Sequence, residues 1–175
     1  MNSRKNAIEK IIKYVLLCLC VMFLYVLQGT PGFLSIWGVK PVFIIPFCIN
    51  LAALEEENYK YIVYVVAGLF MELSAGRIIG YYTIPVIIAC TICSFIVKIL
   101  IKPNYRNTVA MAFVSTFMIL LTDFFFSYIL SGYKGVFIIF FKTVLLSSCY
   151  SMAFSVLYYK IIAAIQKKFI SFNAR

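Results

Sequence analysis

The sequence contains no histidine and only six acidic residues among 175. Without imidazole there is no histidine-ligated metal and no side chain whose ordinary titration falls near neutrality. Three of the six carboxylates, Glu55, Glu56 and Glu57, are adjacent, so few remain elsewhere for acid–base work. No glycine-rich phosphate loop of the Walker type occurs. These absences argue against catalysis, and the chain reads as a non-enzyme that needs no cofactor. Charged residues are also scarce, at 13%, against about a quarter in an ordinary soluble domain.

What fills the sequence instead is apolar: 64% of residues are hydrophobic. A domain of this length leaves too much surface exposed to hide that material from water. The solvent for most of the chain is therefore lipid. A crossing helix needs about 20 mostly apolar residues, and six such helices with short loops consume almost the whole length. The expected architecture is all-α and integral to the membrane: one six-span domain over residues 1–175, with spans near 12–28, 40–54, 59–75, 78–100, 107–130 and 136–160. Residues 161–175 form a basic tail.

The net charge of +10 would point to nucleic acid in a soluble protein. Here the basic residues lie between apolar runs, so topology and anionic lipid headgroups account for them and nucleic acid is excluded. Cytoplasmic loops carry excess Lys and Arg. With both termini in the cytoplasm, Arg4, Lys5, Lys10, Lys13, Lys60, Lys98, Lys102, Arg106, Lys160, Lys167, Lys168 and Arg175 fall inside; Lys40, Arg77, Lys134 and Lys142 remain on or near the outer face. That is 12 of the 16 basic residues, and it requires an even number of spans. The location implied is a bacterial cytoplasmic membrane, crossed several times.

Six cysteines (Cys18, Cys20, Cys48, Cys90, Cys93 and Cys149) all sit in apolar runs, where the thiol behaves as a small hydrophobe. Cys90-x-x-Cys93 has metal spacing, but two ligands do not make a structural zinc site. No metal is expected.

The most informative stretch is Ala67 to Tyr82, A-G-L-F-M-E-L-S-A-G-R-I-I-G-Y-Y. It reads as the end of the third span, a tight turn at the outer surface, and the start of the fourth. Gly76 and Gly80 match G-x-x-x-G, yet Arg77 between them makes them turn glycines; Gly68, inside the span, is the better candidate for a close helix contact. Glu72 is expected to pair with Arg77, to cap the turn, or to meet a partner helix. Asn50, in the short second span that also contains Pro46, is expected to face other helices.

Asp123 and Lys142 are the other embedded charges. Such residues face the bundle interior and mark function by default. Asp123 lies nine residues before Gly132 and Lys142 seven after Gly135, so at about 1.5 Å per residue they sit at similar depth. An Asp123–Lys142 pair is the resulting expectation, with Lys142 snorkelling to the interface as its competitor. Ser147, Ser148, Ser151 and Ser155 put a small polar stripe on the sixth span, suited to gluing helices or lining a cavity.

On these residues the chain resembles a known family. The carriers are Leu27-Gln-Gly-Thr-Pro-Gly32, Lys40-Pro41 and its apolar run to Asn50, the stretch Ala67–Tyr82, Thr122-Asp-Phe-Phe-Phe126 and Gly132-Tyr133. Together they resemble the rod shape-determining protein MreD family of the bacterial cell-wall elongation machinery, over roughly Tyr14 to Lys168. Glu72 stands where that family usually has aspartate, which keeps the charge on a longer arm. The resemblance implies a fold similar to the substrate-binding subunits of energy-coupling-factor transporters. It also implies a scaffold role: docking an MreC-like protein and linking it to a class B penicillin-binding protein, a RodA-like protein and an MreB-like protein. Gly68, Glu72, Gly76, Arg77, Gly80, Asp123, Lys142 and Asn50 are then the candidate docking or bracing residues. The competing reading is a membrane subunit binding a small vitamin-like molecule for an energy-coupling-factor-type transporter, with Asn50, Glu72, Asp123 and Tyr81 as its polar groups.

Overall fold

The computed structural model describes residues 2–30, 39–100, 104–129 and 136–173. Pro31, Gly32 and Trp37, Lys102 and Pro103, and Gly132, Tyr133 and Lys134, all expected in loops, lie outside the described residues, as do the side chains of Arg4, Lys5 and Lys168.

The described chain is helical, with no β-strand. Its helices are α1 (Asn2–Gly29), α2 (Ile44–Leu54), α3 (Lys60–Ala75), α4 (Thr83–Ile99), α5 (Tyr105–Phe124), α6 (Val136–Phe140) and α7 (Ser147–Asn173). A π-helical segment, Phe125–Ile129, prolongs α5, and another, Phe141–Leu146, joins α6 to α7 in one rod. Six rods result. Among the described residues three stretches are long and apolar enough to cross a membrane: Lys10–Gly29, Tyr105–Ile129 and Val136–Lys167. Helices α2 and α4 are shorter and apolar. Helix α1 begins at Asn2 and α7 continues unbroken to Asn173, so the residues expected as the first span, 12–28, and most of those expected as the basic tail, 161–175, lie within longer helices.

The organising element is α2. Every residue from Ile44 to Ala53 is buried, and α1, α3, α4, α5 and α7 all pack against it. Its 11 residues span only about 16 Å, roughly half of a hydrocarbon core. It needs no amphipathic stripe because it has no face toward solvent. The outer rods are inverted relative to a soluble bundle. Their outward positions carry Ile11, Val15, Leu19 and Phe23 on α1, and Ile84, Ile88, Ile92 and Phe95 on α4, each more than half exposed. A soluble monomer does not present apolar surface on this scale; lipid-facing helices do.

A buried helix in an apolar setting must satisfy its own ends. For α2 the sequence supplies this from the serine stripe of α7. Ser147 donates its hydroxyl to the Lys40 carbonyl. The Val42 N–H donates to Ser151 Oγ at 2.8 Å. Asn50 Nδ2 donates to Ser155 Oγ and to the Pro46 carbonyl, both at 2.7 Å. Gln28 Oε1 accepts the Phe43 N–H at 3.1 Å, and Gln166 Nε2 donates to the Leu54 carbonyl at 2.7 Å. The stripe is therefore glue, and Asn50 faces a neighbouring helix.

Candidate functional site

Two polar clusters stand at opposite ends of the bundle, and α3 connects them. At one end Lys60, the first residue of α3, is 3% exposed. Its ammonium donates to the Glu55 carbonyl at 2.6 Å, to the Ala52 carbonyl at 3.4 Å and to Ser94 Oγ at 2.9 Å. Those carbonyls belong to the C-terminal turn of α2, the negative end of its dipole. The Glu55 carboxylate meets Lys13 at 2.5 Å and Gln166 Nε2 at 3.3 Å. Glu57 takes Lys10 at 2.8 Å and the Tyr14 hydroxyl at 3.2 Å. Lys10's hydrogen bond, with its positive charge, holds the Glu57 carboxyl below its ordinary value.

At the other end, Glu72 stands in the last turn of α3 and is also 3% exposed. Its Oε1 accepts three backbone N–H groups: Gly80 at 2.9 Å, Tyr82 at 3.0 Å and Thr83 at 2.9 Å. Those groups form the entry and first turn of α4, so the carboxylate caps the positive end of that helix. The Glu72 carbonyl meanwhile accepts the Arg77 N–H at 3.1 Å and that of Gly76. One residue thus ends α3 with its main chain and starts α4 with its side chain. The intervening turn needs φ of +60° at Gly76 and +98° at Gly80, a region that costs a residue with a side chain.

This cap moves a boundary. The fourth span was expected to begin at residue 78; the helix begins at Thr83, because residues 76–82 wrap the carboxylate. Gly68 makes the approach of the two helices possible. A Cβ placed there would lie 2.4 Å from the Thr83 Cα, inside any allowed contact.

Arg77 leaves the turn and reaches α5. Its guanidinium lies 3.4 Å from Asp123 Oδ1, donates to the Ser127 hydroxyl, and covers the Tyr81 ring at 5.2 Å. Asp123 Oδ1 also accepts the Tyr81 and Ser127 hydroxyls, each at 3.2 Å. The depth argument paired Asp123 with Lys142, and the alternatives for Glu72 included a pair with Arg77; neither ion pair forms among the described residues. Lys142 lies exposed on the π-helical segment Phe141–Leu146. Equal depth does not make two residues neighbours: the turn carries Arg77 over α5, while Lys142 points away from the bundle. Sequence reasoning passed over Lys60 as a buried charge because it begins a span and looks like an ordinary interfacial lysine.

Cys90 and Cys93 are buried free thiols, and among the described residues no group of three potential metal ligands forms. Apolar grooves open on the flanks. One lies between α4 and α5 and has about 550 Å³, lined among others by Ala89, Cys93, Ala110, Ser115 and Met118. Another, of about 1120 Å³, follows the α1–α3 seam. No protein-family model, curated protein or solved structure matches the chain.

Proposed function

We propose that this chain is a six-span membrane scaffold with both termini in the cytoplasm, and that it serves bacterial cell-wall elongation as an MreD-like protein. It docks an MreC-like single-span partner and links it to a class B penicillin-binding protein, a RodA-like protein and an MreB-like protein. The observation that carries the reading is the use made of the embedded charges. Lys60, Glu72 and Asp123 are each committed to helix ends or to a neighbouring element, which yields a braced bundle. Partners then have the lipid-facing flanks. The α4–α5 groove carries small residues that let a helix backbone approach closely.

The topology has its own support. Lys13, Glu55, Glu57, Lys60 and Gln166 share one end of the bundle, and Gln28, Lys40, Arg77 and Asp123 share the other. Alternating crossings would arrange them so, with the Lys-rich end inside. Against the transporter reading, Asn50 Nδ2 and Glu72 Oε1 are spent on internal partners, while Asn50 Oδ1 and Glu72 Oε2 are buried without a hydrogen-bond partner.

Affinity isolation from bacterial membranes tests the proposal. Recovery of an MreC-like protein with a penicillin-binding protein supports it, as would rounding of cells depleted of the chain. Recovery of transporter ATPases without those partners overturns it.

A further inference from the structure

The groove along the α1–α3 seam has the dimensions and polarity of one lipid. Its lining on α1 runs from Lys10 to Met22, a separation of twelve residues, or about 18 Å of helix. Half a hydrocarbon core is about 15 Å. A crossing helix would need a groove about twice as long. The polarity is one-ended. Lys10, Tyr14 and Tyr59 line the end nearest the loop joining α2 to α3, while Leu19, Met22, Val66 and Phe70 line the rest. The Lys10 side chain is 46% exposed. It uses one N–H on Glu57 at 2.8 Å, and an ammonium carries three, so donors remain for an anion.

We infer that this groove is a binding site for one anionic glycerophospholipid of the inner leaflet. The phosphate sits on Lys10 beside Tyr59, and the acyl chains lie along Leu19, Met22, Val66 and Phe70. The leaflet assignment rests on the topology proposed above; the site itself does not depend on the scaffold role. The cytoplasmic leaflet is the anionic one, and a basic residue at its surface attracts such lipids. Arg4 and Lys5 add charge to the same N-terminal stretch. Glu57 competes for Lys10 without excluding the phosphate, since it engages a single donor.

Native mass spectrometry of the full chain, released from detergent with dioleoylphosphatidylglycerol or dioleoylphosphatidylcholine, tests this without any partner protein. Wild type should retain one phosphatidylglycerol at energies that strip phosphatidylcholine. Lys10→Gln should lower that preference about fivefold. Leu19→Trp, which fills the groove from an exposed position, should abolish retention of both lipids; circular dichroism checks that each variant folds. Lys98→Gln, a basic residue away from the groove, should change nothing. Equal retention in wild type, Lys10→Gln and Leu19→Trp would mean an adventitious annular lipid only. A loss in Lys98→Gln as large as that in Lys10→Gln would mean a response to overall charge. Either result overturns the site.

Discussion

Lys60 and Glu72 stand twelve residues apart on one helix, both buried, and each is turned toward the end of a different neighbour. Lys60 lies at the N-terminus of α3 and Glu72 near its C-terminus, the wrong signs for their own helix dipole. They suit their neighbours instead: the cation meets the C-terminal carbonyls of α2, and the anion meets the N-terminal amides of α4. Helix α3 thus spends its charges on holding two other helices, an arrangement that fixes α2, α3 and α4 as one unit.

Removing the anion should therefore loosen α4. Glu72→Gln keeps an acceptor oxygen but loses the charge, and Glu72→Asp keeps the charge on an arm too short for three amides. Each should destabilise the chain by about 1–3 kcal/mol, the range for leaving buried partners poorly satisfied. Unfolding by SDS titration from mild detergent reads this directly. A neutral Glu72→Asp would show that the arm length does not matter.

The cation should matter as much. Lys60→Met preserves volume and leaves the Ala52 and Glu55 carbonyls and Ser94 without their shared donor. A loss of about 1–3 kcal/mol is expected, with Lys60→Gln intermediate. If Lys60→Met is neutral or stabilising in the same titration, the buried ammonium is no brace.

Gly68 sets how closely α3 and α4 approach. Gly68→Ala drives a methyl group against the Thr83 backbone, which cannot swing aside as a side chain can. Overpacking of this kind costs about 1–3 kcal/mol. Gly29→Ala is the control: nothing lies within 4 Å of its Cβ position, so it should be neutral. Equal midpoints for the two variants would deny the close contact.

The helical architecture was legible because apolar run lengths mark helices able to cross a membrane, and turn glycines write themselves into motif spacing. Gly76 and Gly80 take positive φ, Gly68 is the close contact, and the serines of α7 glue helices. The central position of α2 was not legible. A short apolar run with proline reads the same at the centre of a bundle as at its edge. The Arg77–Asp123 contact was missed for a related reason. Residue counting gives depth along a helix but not which helices stand side by side, and only the path of residues 76–82 over α5 brings Arg77 within reach.

That contact makes a separate prediction. Arg77 and Asp123 are partly exposed, at 38% and 23% of their side chains, so their coupling is limited to about 0.5–1 kcal/mol. A double-mutant cycle on Arg77→Gln and Asp123→Asn should find it, and a cycle on Asp123→Asn and Lys142→Gln should be additive. Coupling in the second cycle and additivity in the first would reverse the assignment.

The Lys10–Glu57 contact ties α1 to the loop between α2 and α3, and it should respond to acid. Hydrogen bonding and charge from Lys10 hold the Glu57 carboxyl below its ordinary 4.5 in the fold. A carboxyl depressed in the folded state stabilises fully above its unfolded value and ceases to do so as pH falls through the folded one. Wild type should therefore exceed Glu57→Gln in unfolding temperature at pH 7, and the gap should close once the pH drops well below 4.5. Because Glu57→Gln keeps the size of the side chain and an acceptor for Tyr14, a gap that vanishes in acid is attributable to the carboxylate itself. A gap of the same size at both ends of the range would assign the difference to packing and leave the ion pair without a role in fastening α1.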